Sequence, residues 1–279
     1  MIGLTDKEKA QLESNLQWWK DRKAAAQNNL NKKTVEQIDA RLAKYYQKAS
    51  ARVMSKFIEV YNKVMDGAAK DIAPTPADLY KLESYWAMQA QLREELEQLG
   101  YKQIAYLNKS FTNQFIHAYE MVMDIDNSGA FSSIDKEVAM QLVNQIWAAD
   151  GSTWSNRIWK NMDLLQDALN DELLQCVITG KNADDAKRAL MEQFNVSYRR
   201  ADTLVKTELT NIQTQAARKR YEDMGVKQVQ VWAEKDERQC KICGKLHKTK
   251  YFVYEQMPIP AHPRCRCTII PVIDGLEDD

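Results

Sequence analysis

The chain has 279 residues, 44% of them apolar, enough for one large domain or two modest ones around a sizeable core. Its 39 basic side chains cancel 39 acidic ones, so average charge gives no case for a nucleic-acid-binding polycation. Residues 1–7 hold no basic-then-apolar leader, and no stretch approaches the ~18 apolar residues of a membrane span, so neither a secretory signal nor a spanning helix is expected.

Nine glycines and six prolines are few for this length, and Ala, Leu, Gln, Lys and Glu abound, which favours helix. Thr34 is placed to cap a long helix whose apolar stripe runs Val35, Ile38, Leu42, Tyr45, Ala49, Val53, Phe57, Val60 and Val64, in steps of three and four. Pro74-Thr75-Pro76 ends it. A second helix is expected from about Pro76 to Leu99, with Gly100 as its C-terminal cap, and a third over 101–123. Asp126-Asn127-Ser128-Gly129 has the composition of a turn. A helix over 134–149 follows, broken by Asp150-Gly151-Ser152-Thr153, and a domain boundary is placed there.

Ser155 is expected to cap a helix with the stripe Ile158, Met162, Leu165, Leu169, Leu173 and Cys176, ending at Gly180. Cys176 on that stripe reads as a buried, inert thiol. Asn182 caps a short helix to Phe194. Ser197 caps the last long one, with Ala201, Val205, Leu209, Ile212 and Ala216 inward and Gly225 closing it. Then the period changes to two: residues 226–232 alternate as a strand, and 267–273 read as a second strand returning beside it. The expected class is mainly α, with an elongated helical N-terminal region (1–149), a helical core (150–225), a small β knob (226–273) and a frayed acidic tail (274–279).

The cysteines carry the chemistry. Four of the five, Cys240, Cys243, Cys265 and Cys267, lie within 28 residues, together with His247 and His262, two of the three histidines. Cys240-x2-Cys243, then 18 residues, then His262-x2-Cys265 is a two-pair zinc spacing with one cysteine replaced by histidine. Thiolate and imidazole favour zinc over oxygen-seeking magnesium or calcium. The expected ligands are Cys240, Cys243, His262 and Cys265; Cys267 is the alternative for the fourth place, and His247, four residues after Cys243, is a further spare within reach that reads better as an exposed loop histidine among lysines. Four protein ligands close the site, which makes the ion structural rather than catalytic, and the segment between the strands has few apolar residues of its own.

Other features read as ordinary. Arg218-Lys219-Arg220 fits a solvated helix terminus, although 218–266 is net basic and a weak contact with DNA phosphates is the alternative. Glu208 reads as a buried or capping hydrogen-bonding group, Asp236 and Arg238 as a local pair beside the first metal cysteine, and His117 as incidental. No phosphate-cradling glycine loop and no hydrolase or metalloprotease signature occurs.

Three stretches carry a resemblance. They are Trp154-Ser155-Asn156-Arg157-Ile158-Trp159; Ala201-Asp202-Thr203-Leu204-Val205-Lys206-Thr207-Glu208, continuing to Tyr221 and Gly225-Val226; and Trp232 with residues 236–243 and Pro260-Ala261-His262-Pro263-Arg264-Cys265-Arg266-Cys267. Together they resemble the minor head proteins of tailed bacteriophages, the Mu F-like head morphogenesis family, over about residues 150–273. The resemblance implies a non-enzymatic virion component present in few copies. It would associate with the portal protein, with capsid or scaffold proteins as further partners. It would serve packaging, retention or delivery of DNA, from the host cytoplasm during assembly to the head interior near the portal. Gln239 stands where many relatives carry Thr or Ser. Two alternatives from other classes are a metal-dependent nuclease using Glu208 or Asp236, and a zinc-ribbon DNA-binding protein.

Overall fold

The computed structural model describes residues 6–67, 75–81, 83–122, 133–233 and 239–272, with side chains from residue 32 onward. The expected turn at 126–129, the pair Asp236 and Arg238, and the acidic tail lie outside the described residues. In chain order the elements are α1 (Asp6–Gly67), α2 (Pro76–Tyr80), α3 (Glu83–Glu120), α4 (Lys136–Val143), α5 (Trp154–Ile178), α6 (Ala183–Asp223), β1 (Gln228–Trp232), α7 (Lys241–Leu246), β2 (Lys250–Phe252) and β3 (Thr268–Pro271). The protein is mainly helical with a small C-terminal sheet. No helix among the described residues is long and apolar enough to cross a membrane.

The chain divides into two compact units. One comprises Met1–Gln37, Asn108–Gln145 and Thr203–Asp279, the other Ile38–Leu107 and Ile146–Asp202, so α1, α3 and α6 each contribute a stretch to both.

In the second of these every element among the described residues is a helix. Ile38, Leu42, Ala49, Val53, Phe57, Val60 and Val64 of α1 are buried as their spacing requires, as is the whole predicted stripe of α5 from Ile158 to Cys176. A polar knot sits among them. Asn161 donates to the Tyr46 hydroxyl (3.1 Å) and to the Ser197 carbonyl (2.9 Å), and Tyr46 and Ser197 share a hydroxyl bond of 3.1 Å. Bonds of this kind offset most of the cost of burying polar groups in a core. Burial pushes the Tyr46 hydroxyl up to about 12, so it stays a neutral donor.

Three local signals are overridden here. Gly100 does not cap a helix; it lies inside α3, where an added Cβ would fall 2.5 Å from the Trp159 ring, so glycine is needed for close approach of α5. Ser197 does not start a helix either; α6 is continuous through it, and its hydroxyl is absorbed by Tyr46. The cap of α5 is Thr153, which accepts from the Asn156 N–H, rather than Ser155. Gly180 closes α5 as its position implies, at φ 61° with a paired 6→1 and 5→2 bonding pattern from Lys181 and Gly180.

In the other unit, Thr34 lies within α1 and donates to Gln114 (3.2 Å) instead of capping. Gly225 ends α6 at φ 74°, again with the bonding pattern seen at Gly180. The sheet has the order β2-β1-β3, antiparallel throughout, with Val229 opposite both Tyr251 and Pro271. The returning strand is therefore β3, as its sequence suggests. The strand β2 on the other edge has only three residues and no periodicity to betray it. The knob does not stand alone. Val229, Val231, Val253, Met257, Ile259 and Ile269 share one apolar cluster with Val122, just past the end of α3, and with Ala217 and Tyr221 of α6. The segment between the strands thus supplies more core than its composition suggests, because α6 covers it.

Candidate metal centre

Each predicted ligand is positioned by a distinct local device. Cys240 is the N-cap of α7, and its sulfur accepts from the Cys243 N–H at 3.3 Å. One helical turn then turns Cys243 to the same side. His262 approaches from the opposite loop. Its Nδ1 lies 2.8 Å from the Pro263 carbonyl, the geometry of an N–H donating to it, and its Nε2 lies 3.1 Å from the Cys243 sulfur. That backbone bond selects the tautomer with a lone pair on Nε2, the state in which imidazole binds a metal. The Cys243 and Cys265 sulfurs are 3.7 Å apart.

The cluster is larger than the sequence pattern alone requires. Its donor atoms form two groups, Cys240, Cys243 and His262, and Cys243, Cys265 and Cys267, each with all atoms within 4.8 Å of one another. All four proposed ligands take part, Cys267 joins them, and Cys243 belongs to both groups. Burial pushes the Cys243 thiol up to about 12, and the Cys267 thiol donating to Cys265 brings that sulfur down to about 5 while Cys267 itself is raised. The Cys243 N–H lowers Cys240, and the bond to Pro263 raises His262. Buried sulfurs this close, with an oriented imidazole, fit a thiolate-seeking ion such as zinc: binding would draw off the thiol protons and replace sulfur–sulfur repulsion by shared bonds.

The His262–Cys267 loop is held by α6. Arg264, at φ 59°, adopts a left-handed conformation that L side chains disfavour. Its N–H donates to the Thr207 hydroxyl (3.0 Å) and its guanidinium Nε to the Thr203 hydroxyl (3.2 Å), while the Thr210 hydroxyl donates to the Cys265 carbonyl. Residues 203, 207 and 210 are one helical face. In sequence they were visible only as part of the resemblance; nothing in the threonines alone announced a clamp. Replacing Thr207 with Ala is expected to cost about 1 kcal/mol by removing one such bond, whereas Ser at this position retains most of it. Urea unfolding of the three proteins measures the difference.

Two other readings change. His247 is not an exposed loop residue. It is half-buried, its Nδ1 accepts from the Ala233 N–H (3.2 Å), and its ring lies 4.7 Å from that of Trp232. It belongs to neither donor group. Arg220 is not solvated but 5% exposed, its guanidinium over the Tyr119 ring (5.5 Å) and directed at the Val122 carbonyl, while Lys219 pairs with Asp223. Glu208 is buried, as expected, and Cys176 is a fully buried thiol pushed up to about 11 by desolvation.

A cavity of about 790 Å³ opens beside the cluster, lined by all five donor residues together with Lys32, Lys206, Arg264 and Arg266, and by Glu36 as its carboxylate. Glu208 does not line it.

With this geometry in view, residues 167–270 match the family model described as Phage Mu protein F like protein. Over those residues, which are less than half of the chain, the protein is similar to the Mu F-like phage head morphogenesis family. It covers the second and third stretches of the resemblance and leaves Trp154–Trp159 outside. In the Mu F-like module the clamp threonines of α6 and the whole donor cluster fall within the matched residues. Over 164 residues the chain is also 27% identical to NAD(+)–arginine ADP-ribosyltransferase EFV of Enterococcus faecalis, covering 52% of this chain and 33% of that protein. It therefore spans about a third of that relative's length. No solved structure matches the chain.

Proposed function

We propose that this Mu F-like protein is a non-enzymatic minor head protein of a tailed phage. It enters the head in few copies in association with the portal protein, with capsid or scaffold proteins as secondary partners, and aids packaging, retention or delivery of the genome. The observation that carries the structural rather than catalytic reading is the donor surplus. Five protein donors, in two overlapping groups of three, are available to an ion that needs four, so a bound zinc ion need leave no position for a reacting water. The nuclease alternative loses support because Glu208 is buried and away from the cavity beside the cluster. The zinc-ribbon alternative loses support because the sheet shares its core with α6 instead of standing free. The cations lining the cavity favour a non-specific contact with packaged DNA as an accessory role.

The transferase relative shares only about a third of its length with this chain, and its named activity is not carried over to it. Purified protein incubated with labelled NAD+ and arginine-rich acceptor is expected to transfer no label above a buffer control; transfer would end the non-enzymatic reading. The central test is assembly. Co-expressed with the neighbouring portal and capsid genes, the protein is expected to sediment with procapsids at low copy only when portal protein is present. A chain that stays free in the supernatant under those conditions refutes the minor head proposal.

A further inference from the structure

Resting on the metal reading above, we infer that Cys265 and Cys267 are interchangeable closing ligands around an invariant set of Cys240, Cys243 and His262. The five donors do not make one tetrahedron. They make two triads hinged on Cys243. A tetrahedral zinc site with bonds near 2.3 Å has sulfur–sulfur edges of about 3.8 Å, and Cys243 and Cys265 already stand 3.7 Å apart. Cys267, two residues beyond, lies within 4.8 Å of both sulfurs and is as buried as they are. The chain between 262 and 267 is held at its backbone by Thr207 and Thr210 of α6, not through either thiol, so the loop presents both sulfurs whichever one is bound. An ion fixed by Cys240, Cys243 and His262 can therefore take either thiolate without the loop moving off the helix. The thiol not in use stays in contact, poised to enter as the other leaves. In each arrangement the site holds three thiolates and one imidazole, and one proton moves to the departing sulfur as the entering thiol gives one up.

The experiment uses the full-length protein and Cys243→Ser, Cys265→Ser, Cys267→Ser and the Cys265→Ser/Cys267→Ser pair. Metal content is measured by mass spectrometry, affinity by competition with a chromophoric chelator, and ligand type from the absorption of the cobalt-substituted protein. The native protein is expected to hold one ion per chain with the spectrum of tetrahedral cobalt bound by three thiolates. Cys265→Ser and Cys267→Ser should each keep one ion and the three-thiolate spectrum, with affinity within ~10-fold of native. Cys243→Ser and the pair should each lose ~100-fold or more, the scale on which even residues supporting a ligand act. If one single variant at 265 or 267 loses metal as Cys243→Ser does while the other is unchanged, the ligand set is fixed and the inference is wrong. Two ions per native chain overturn it in favour of a Cys243-bridged pair. Absence of any ion from native protein overturns the metal reading beneath it. Far-UV circular dichroism checks folding, and if the pair does not fold, the two single variants decide.

Discussion

Stripping the metal from the purified protein is expected to unfold residues 239–272 while the helices persist. The three strands have five, three and four residues, and α7 has six; pieces this short do not hold together on backbone bonds alone. Binding of a structural zinc ion contributes on the order of 10 kcal/mol in small metal-organised peptides. Its loss here also leaves four cysteine sulfurs and an imidazole crowded in a largely buried space. The helices have cores of their own, so the damage should stay local. Limited proteolysis after chelation should open new cuts within 239–272, with the helical circular dichroism largely retained and the cuts suppressed when zinc is restored. Cys243→Ser should behave as the chelated protein does, because both donor groups depend on that sulfur. An unchanged cleavage pattern after complete metal removal would mean that the apolar cluster shared with α6 suffices to fold the knob.

Gly100→Ala poses a contest of signs. In an ordinary helix interior the change stabilises by about 1 kcal/mol, since glycine gives up more backbone freedom on folding. Here the new methyl would meet three atoms of the Trp159 ring at 2.5, 2.9 and 3.0 Å. The ring also packs against that of Tyr101, 4.8 Å away between centroids, so any retreat has to disturb that contact as well. Overpacking of this kind costs roughly 1–3 kcal/mol and exceeds the propensity gain when the neighbour is a rigid aromatic. A net loss of about 2 kcal/mol in urea unfolding is expected, with Trp159→Leu restoring much of it in the double variant. Stabilisation by Gly100→Ala alone would show that α3 and α5 are not in such close approach.

The same residue shows where sequence reading ends. A glycine after an apolar stripe signals a helix end equally well whether the chain stops there or a tryptophan presses on it from another helix. Thr34 and Ser197 failed in the same manner: each has the side chain of a cap, and each spends it on a partner distant in sequence, Gln114 and Tyr46. Gly180 and Gly225 were legible because their role is settled locally by a positive φ. The stripes of α1 and α5 were legible because burial of one helical face imposes its period on the sequence. The donor cluster was legible because metal geometry demands fixed spacings. Its fifth member was harder to weigh, since spacing cannot say how the loop after His262 is folded. That fold is imposed by Thr203, Thr207 and Thr210.

Arg220 carries a consequence for electrolyte effects. Each cation that neutralises a DNA phosphate releases condensed counterions and steepens the fall of binding with salt by about 0.9 in the logarithmic slope. Arg220 is enclosed over Tyr119, and Lys219 is engaged by Asp223. Neither is placed to displace a counterion from a duplex. Any DNA contact made near the end of α6 would respond to salt about two units less steeply than the run Arg218-Lys219-Arg220 implies when counted as letters.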